Sequence, residues 1–295
     1  AFAKSPITSS RYEYTAQSAY ISDVLNITPS LMAMISGRMD IYYYKGQYSG
    51  NTSAGTKQTV KPYSQSSFAP KFGLVYQPIK DKIAVFANYM SGMSNLAPVV
   101  QGDETILTLK PQQAWQWEVG TKIDIWKNRV SANISYYDIL VSNSTRVESR
   151  KVNGLDKNFT VQDATQESKG YEVELIASPI QGLNIIAGYG NNMNKYVQAA
   201  DNVKGKQVTQ NPNEMVNLWV SYKINSGKIK GLGLGAGGNY VSKAYFDAAN
   251  TFIIPEHTTA NATVFYEQAK FRVGLKVDNL TNLKYWDVNG TTNNP

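Results

Sequence analysis

The stretch WQWEVGTKIDIW, Trp115 to Trp126, alternates with a period of two. Trp115, Trp117, Val119, Thr121, Ile123 and Ile125 share one face; Gln116, Glu118, Gly120, Lys122 and Asp124 share the other. Successive side chains of a strand point to opposite sides, so this pattern predicts a β-strand with one apolar and one polar face. The same alternation runs through FRVGLKVDN (Phe271 to Asn279) and GYEVELIA (Gly170 to Ala177). Twelve strands are predicted, near residues 11–27, 31–46, 68–78, 82–91, 112–126, 130–146, 159–177, 183–197, 211–224, 231–247, 257–267 and 270–280.

The connections carry the second constraint, because short and long ones alternate. The short ones are ITPS, PIKDK, KNR, SPIQG, NSGKIKG and QAK; the long polar ones fall near 47–67, 92–111, 147–158, 198–210 and 248–256. An antiparallel meander built this way has one tight rim and one elaborate rim, the plan of outer-membrane barrels. Several strands exceed ten residues, long for a soluble strand and sufficient to cross a bilayer on a tilted path. Charges such as Glu118, Lys122, Glu172, Glu174, Arg272 and Lys276 sit on the polar face. Aromatic residues gather at both ends of the strands: Tyr76, Tyr222 and Tyr266 before short turns, and Tyr12, Tyr14, Trp115 and Trp117 toward the long connections. Aromatic belts of this kind mark the two interfaces of a membrane. A soluble β-sandwich packing its aromatic residues in a core is the competing reading.

Composition closes off several kinds of chemistry. The 295 residues include no cysteine and one histidine, His257, which excludes thiolate metal sites and disulfides and leaves nothing for a Cys/His catalytic set. No catalytic residue and no metal ligand is assigned, and His257 reads as structural. The formal charge of +7 comes from dispersed Lys and Arg, which reads as a solvated basic surface, with attraction to an anionic partner (nucleic acid, an acidic lipid face or an anionic small ligand) as the sharper alternative. No apolar run approaches a transmembrane helix, and AFAKSPITSS does not look like a signal peptide. Bases and aromatic residues fall on opposite strand faces, which argues against a groove for single-stranded nucleic acid. GLGLGAGGNYV (Gly231 to Val241) contains the spacing G-x-G-x-x-G, but it sits inside a strand with no helix after it, so a dinucleotide loop is not expected.

Several segments together resemble the TonB-dependent outer-membrane receptors, in particular the siderophore-receptor branch. LKPQQAWQWEVGTK (Leu109 to Lys122) and SKGYEVEL (Ser168 to Leu175) are similar to strand motifs of that family. FAPKFGLVYQP with AVFANYMSGMSNLAP resembles one of its hairpins, and DNLTNLKYW (Asp278 to Trp286) its signature before the final strand. PNEMVNLWVSYK is similar to another family strand, with Glu214 where the family usually has His. The resemblance implies an all-β antiparallel meander, about twelve strands of a barrel of the 22-stranded type. On this reading residues 1–295 are the C-terminal portion of the barrel, without plug domain or last strand. It further implies a Gram-negative outer-membrane transporter that imports a ferric siderophore, energised through the TonB complex by way of the plug, with no enzymatic activity and no cofactor of its own.

Face parity then selects candidate ligand contacts on the long-connection side: Tyr42, Tyr44, Arg146, Tyr196, Tyr245 and Trp286. Arg146 reaches the polar face provided that a bulge lies at Tyr136–Tyr137. Residues expected to face a plug are Glu118, Lys122, Glu172, Glu174, Arg272 and Lys276, with Gly233, Gly235 and Gly237 leaving room for it. Partners on this reading are the TonB complex, outer-membrane lipid and a small iron chelate, and no nucleic acid. The same barrel importing a glycan, cobalamin or haem, an outer-membrane enzyme, and a soluble sandwich stand as alternatives.

Overall fold

The computed structural model describes residues 10–48, 58–126, 129–286 and 292–293. Twelve long strands succeed one another: β1 (Ser10–Thr28), β2 (Leu31–Tyr48), β3 (Gln58–Ile79), β4 (Ile83–Ser94), β5 (Gln112–Asp124) and β6 (Val130–Val152), then β7 (Leu155–Ala177), β8 (Leu183–Gln198), β9 (Glu214–Lys223), β10 (Leu232–Val241), β11 (His257–Gln268) and β12 (Phe271–Val277). They form one sheet in chain order. Every neighbouring pair is antiparallel. Three two-residue pairs lie outside it: Val99–Val100 with Ile106–Leu107, Ala244–Tyr245 with Ile253–Ile254, and Tyr285–Trp286 with Thr292–Asn293. All twelve expected strands are present, and no described helix is long and apolar enough to cross a membrane.

The departures lie on the long-connection side. The expected polar connection at 147–158 is strand on both arms, closed by a two-residue turn at Asn153–Gly154. Both turn residues have positive φ, 51° and 81°. Such turns match the twist of the strands they join, and Asn-Gly is their strongest sequence signal. Residues 58–67, expected in a connection, begin β3, whereas β9, β10 and β12 are shorter than expected. The opening segment AFAKSPITSS, apart from Ser10, lies outside the described residues, as does the Tyr12 side chain.

Register assigns each side chain to a face. On the apolar face Phe72 neighbours Tyr89, Tyr89 pairs with Trp117, and Tyr136 pairs with Tyr171. Ring contacts join Tyr89 to Trp117 at 4.6 Å and Tyr171 to Tyr189 at 5.6 Å, giving an aromatic row along the sheet. One step nearer the long connections that face becomes charged, with Lys169 bridging Asp138 and Glu167. Tyr76, Trp126, Tyr222, Tyr266 and Phe271 form a second, exposed row by the short turns. From Trp117 to Trp126, about nine residues at ~3.4 Å and tilted about 40°, the strand rises roughly 24 Å, the height of a barrel's lipid band. Between the rows Val119, Ile134, Val173, Leu218, Leu234, Val264 and Leu275 all stay exposed, far more contiguous apolar surface than a protein in water carries. Tyr14, expected in the aromatic belt, pairs with Tyr44 and so shares the polar face.

Register shifts occur at Asn26/Thr28 and Tyr76/Ile79 near the short turns. The others fall at Tyr44/Gly46, Val141/Ser144, Ser144/Arg146 and Tyr196/Gln198 near the long connections. None lies between the two aromatic rows. The bulge expected at Tyr136–Tyr137 is therefore elsewhere: those residues pair regularly with Tyr171 and Gly170, and the ladder slips after Val141, where Asn143 has φ 56°.

The polar face is also less uniformly polar than expected. Phe86, Tyr137, Trp219 and Phe265 lie on it, each across a glycine of a neighbouring strand. A Cβ added to Gly120 would meet Phe86 Cζ at 2.5 Å, and one on Gly170 would meet the Tyr137 hydroxyl at 2.6 Å. A Cβ on Gly233 would stand 2.1 Å from Phe265 Cζ, and one on Gly235 2.8 Å from Trp219 Cζ2. The glycine row of β10 thus makes room for the sheet's own rings. Arg272 and Lys122 cap two of them, 4.4 Å from the Phe265 centroid and 5.9 Å from that of Phe86. Gly170→Ala would also drive a Cβ to 2.1 Å from the Asn191 carbonyl oxygen, whereas at Gly190 nothing lies within 4 Å. In urea titrations of the intact protein in detergent, Gly170→Ala should cost about 1–3 kcal/mol, the usual range for overpacking. Gly190→Ala should be neutral or stabilising by up to about 1 kcal/mol. Equal effects at the two positions would contradict this packing.

Candidate functional site

The long-connection end of the polar face is where the described residues are most deeply buried. Tyr44 on β2 pairs with Tyr63 on β3, and their rings stack at 5.0 Å with 23° between planes. Burial, reinforced by the Tyr44 phenol beside it, pushes the Tyr63 hydroxyl up to about 12. That hydroxyl and Gln65 Oε1 are buried without a hydrogen-bond partner among the described residues. Tyr42, half-buried, faces Gln65 in register, so a band of phenols and an amide continues along two strands.

The second half of the site is built by β6, β7 and β8. The slip after Val141 carries Ser144 opposite Ala164, and a second slip sets Arg146 opposite Val161. Arg146 therefore reaches the polar face as expected, although through a bulge in a different place. It is 8% exposed. Its Nε and Nη2 donate to the two Asp163 carboxylate oxygens at 2.9 and 2.7 Å, and Nη1 lies 2.9 Å from Glu148 Oε2. Glu148 is also bonded by Arg150, whose guanidinium lies 4.9 Å from the Phe159 ring centroid. This bidentate grip leaves the Arg146 charge neutralised within the wall. Hydrogen bonding from Arg150, then Arg146, holds the Glu148 carboxyl below its ordinary value; Asp163 does the reverse to Arg146, raising it.

Two long connections cover this wall. Tyr196 on β8 is 3% exposed and packs with Ala164 and Val203, with Ala199, Val208 and Ala248 around them. Burial raises its phenol, an effect opposed by a hydrogen bond with Thr209 and by the Arg146 charge. Residues 203–208 hydrogen-bond along the end of β8: the Tyr196 amide donates to Lys206 O at 2.9 Å and the Gly205 amide to Tyr196 O at 2.7 Å. Asn250 clasps the Gln207 main chain from the other connection at 2.8 and 2.9 Å. Tyr245 joins through its carbonyl, which accepts the Gln210 amide at 2.8 Å. A third connection, 95–111, is held by two glutamines that imitate a strand edge. Gln101 makes both amide bonds to the Thr160 main chain, at 2.8 and 2.7 Å, and Gln162 both to Lys110, at 2.7 Å each.

The sequence-derived candidates thus separate into groups. Tyr42 and Tyr44 lie together; Arg146 and Tyr196 lie together beneath the connections, with Tyr245 linked to the same cap. Trp286 stands apart, 52% exposed. Its neighbour Tyr285 stacks on His257 at 4.1 Å and 14°, a packing role for the lone histidine. Glu118, Lys122, Glu172 and Glu174 all face the polar side, with Lys122, Asn133 and Glu174 in register around a concavity of about 380 Å³. Arg272 approaches Glu267 at 3.8 Å and Lys276 pairs with Asp278 at 2.9 Å. Sequence reasoning missed Tyr63, Gln101, Gln162 and Asn250. Polar residues inside predicted connections carry no periodic signal, and their partners depend on register. No group of three or more His, Asp or Glu able to hold a metal occurs among the described residues.

A carboxyl whose pKa is depressed by folding stabilises the fold fully above its unfolded value and loses that contribution as pH falls through the folded one. Exchange of the amides in the upper β6–β7 hairpin should therefore accelerate as pH drops below about 4.5, after correction for intrinsic rates. Arg146→Gln should weaken this dependence, its removal requiring Arg150→Gln as well, and should cost about 1–2 kcal/mol at neutral pH. That is less than for a fully buried pair, because the Asp163 side chain is 45% exposed. An unchanged pH profile in the Arg146→Gln, Arg150→Gln double variant would show the ion group to be idle.

Comparison with known proteins meets this geometry. A ferrioxamine B receptor of Salmonella typhimurium is 28% identical over 204 residues, covering 68% of this chain and 28% of the receptor. A probable TonB-dependent siderophore receptor of Acinetobacter baumannii, PiuA, is 25% identical over 289 residues, 91% of this chain and 37% of that protein. The chain thus spans well under half the length of these relatives. The crystal structure of the PiuA receptor superposes with a TM-score of 0.78 at 21% identity, over 93% of this chain and 40% of the other. The ferripyoverdine receptor of Pseudomonas aeruginosa, bound to ferripyoverdine, gives 0.71 at 19% identity, over 94% and 36%. Both show the same fold. Residues 2–280 match the family described as TonB dependent receptor-like, beta-barrel, and with the girdled twelve-strand meander this makes the chain a member of that family.

Proposed function

We propose that the chain is a wall segment of an outer-membrane receptor that binds a ferric siderophore and imports it with TonB-coupled energy. The observation that carries the membrane part is the exposed apolar band between two aromatic rows, on a sheet whose other face bears Glu118, Lys122, Glu172 and Glu174. Lipid satisfies the first face and an aqueous or protein-filled lumen the second. The cargo is inferred from relatives whose names specify ferrioxamine B and pyoverdine. The short turns then face the periplasm and the long connections the exterior.

In this reading residues 1–295 are the later part of the barrel, and the plug and closing strand belong to the rest of the receptor. Glu118, Lys122, Glu172, Glu174, Arg272 and Lys276 line the space a plug would fill. Gly233, Gly235 and Gly237 let Phe265 and Trp219 lie flat, and so keep that wall low. The cargo meets phenols near the exterior rim. Tyr42 is the half-buried member with edge exposed, while Tyr44 and Tyr63 support it as a stacked pair. Tyr245 and Trp286 border the entry. Arg146 and Tyr196 hold the cap in place, since the guanidinium is bonded to two carboxylates and the phenol is 3% exposed.

The test uses the full-length receptor in cells starved of iron, with uptake of radioactive iron measured for a panel of chelates. Deleting its gene should abolish uptake of one chelate class, and Tyr42→Ala should weaken binding of that chelate about tenfold, roughly 1.4 kcal/mol. Arg146→Gln should lower the yield of folded receptor more than its affinity. Expression and uptake indifferent to iron supply would refute a siderophore role while leaving the barrel intact. A monodisperse monomer in buffer without detergent would refute the barrel.

A further inference from the structure

The short-turn rim is strongly and one-sidedly charged. Within its turns lie Lys80, Lys82, Arg129, Lys228, Lys230 and Lys270, against the single acid Asp81. Lys127 adds to the sequence count but lies outside the described residues. All six described cations are exposed, and none has a carboxylate within salt-bridge distance among the described residues. On the opposite rim Arg146, Arg150 and Lys169 pair with acids, while Lys151, Lys157, Lys204, Lys206 and Lys243 have no such pair among the described residues.

These cations stand on a stiff arc. The carbonyls of Ser30, Lys82, Arg129, Gly182 and Gly231 each accept an amide from the next hairpin, Gln77, Asp124, Ser178, Lys223 and Glu267, at 2.6–2.9 Å. The arc adjoins the lower aromatic row, and Trp126 belongs to both. Arg129 lies 5.3 Å from the Trp126 ring centroid and its Nη1 donates to Pro179 O at 3.3 Å, which holds the guanidinium at the level of the girdle. Unpaired ammonium and guanidinium groups one step beyond an aromatic girdle lie at the depth of lipid headgroups. A phosphate there accepts charge-assisted hydrogen bonds from them.

We propose that this rim is a docking surface for anionic phospholipid headgroups of the leaflet it meets, retaining a shell of such lipids around this side of the barrel. The proposal rests on the membrane-spanning reading above. Lipid is favoured over an acidic protein because the cations recur at four of the five short turns from β3 to β12, spread along an edge where headgroups are continuous. Each cation at an anionic leaflet contributes about 1 kcal/mol, or about fivefold in affinity.

The test reconstitutes the full-length receptor with phosphatidylglycerol and phosphatidylethanolamine in equal amounts and measures by mass spectrometry the lipid that stays bound. The wild type should retain phosphatidylglycerol preferentially, less so as salt is raised. Replacing Lys80, Lys82, Arg129, Lys228, Lys230 and Lys270 by Gln should reduce that preference at least tenfold. Lys82→Gln with Lys270→Gln alone should reduce it severalfold, so the outcome survives if the sixfold variant folds poorly. Lys→Arg replacements should keep it. No preference in the wild type, or a preference unchanged in folded Gln variants, overturns the proposal, as does full displacement by equimolar inorganic phosphate. Failure of the receptor to float with neutral vesicles would instead overturn the membrane reading, which this design separates from lipid selectivity.

Discussion

A strand that crosses hydrocarbon has no water to satisfy its amides and carbonyls, so each must find its partner in the next strand. The rest of this sheet follows from that demand. Between the two aromatic rows the ladders run without a slip, and every register shift among the described residues falls beyond them, where water reaches the backbone. The bulge that turns Arg146 to the polar face sits above the Asp138–Lys169 level, in the part of β6 that stands clear of the apolar band. Irregularity, and with it the capacity to aim single side chains, is confined to the ends of the strands.

An uninterrupted ladder also explains the ring-on-glycine packing. Strands held at fixed spacing cannot part to admit a bulky side chain, so an aromatic on the polar face lies flat along the wall. Flat rings need neighbours without side chains, and Gly120, Gly170, Gly233 and Gly237 provide them. The cation over Phe265 or Phe86 then shields an otherwise wet ring face.

How much of this was legible in the sequence depended on whether the two faces of a strand meet different surroundings. Within the band one face meets lipid, so alternation in WQWEVGTKIDIW or FRVGLKVDN exposed both strand and face. Above the band both faces are wet, the alternation fades, and residues 147–158 read as a connection despite their Asn-Gly turn. The change of parity at Tyr136–Tyr137 suggested a bulge because Tyr137 is aromatic on the polar face, where it covers Gly170. The glycines of β10 were readable as a strand feature, but their reason was not, since Phe265 reaches Gly233 only through the β10–β11 register. Burial of Tyr196 depends on how residues 199–213 fold back, which no local pattern encodes.

The two glutamine staples grip only main chain: Gln101 holds Thr160, and Gln162 holds Lys110, by groups that every residue except proline offers. Attachment of the 95–111 connection is therefore independent of which side chains stand at 110 and 160. The outward surface of that connection is free to drift in evolution while its anchorage to the β6–β7 hairpin persists. A wall constrained at almost every position by lipid and ladder thus carries a cover whose chemistry is open to rapid change.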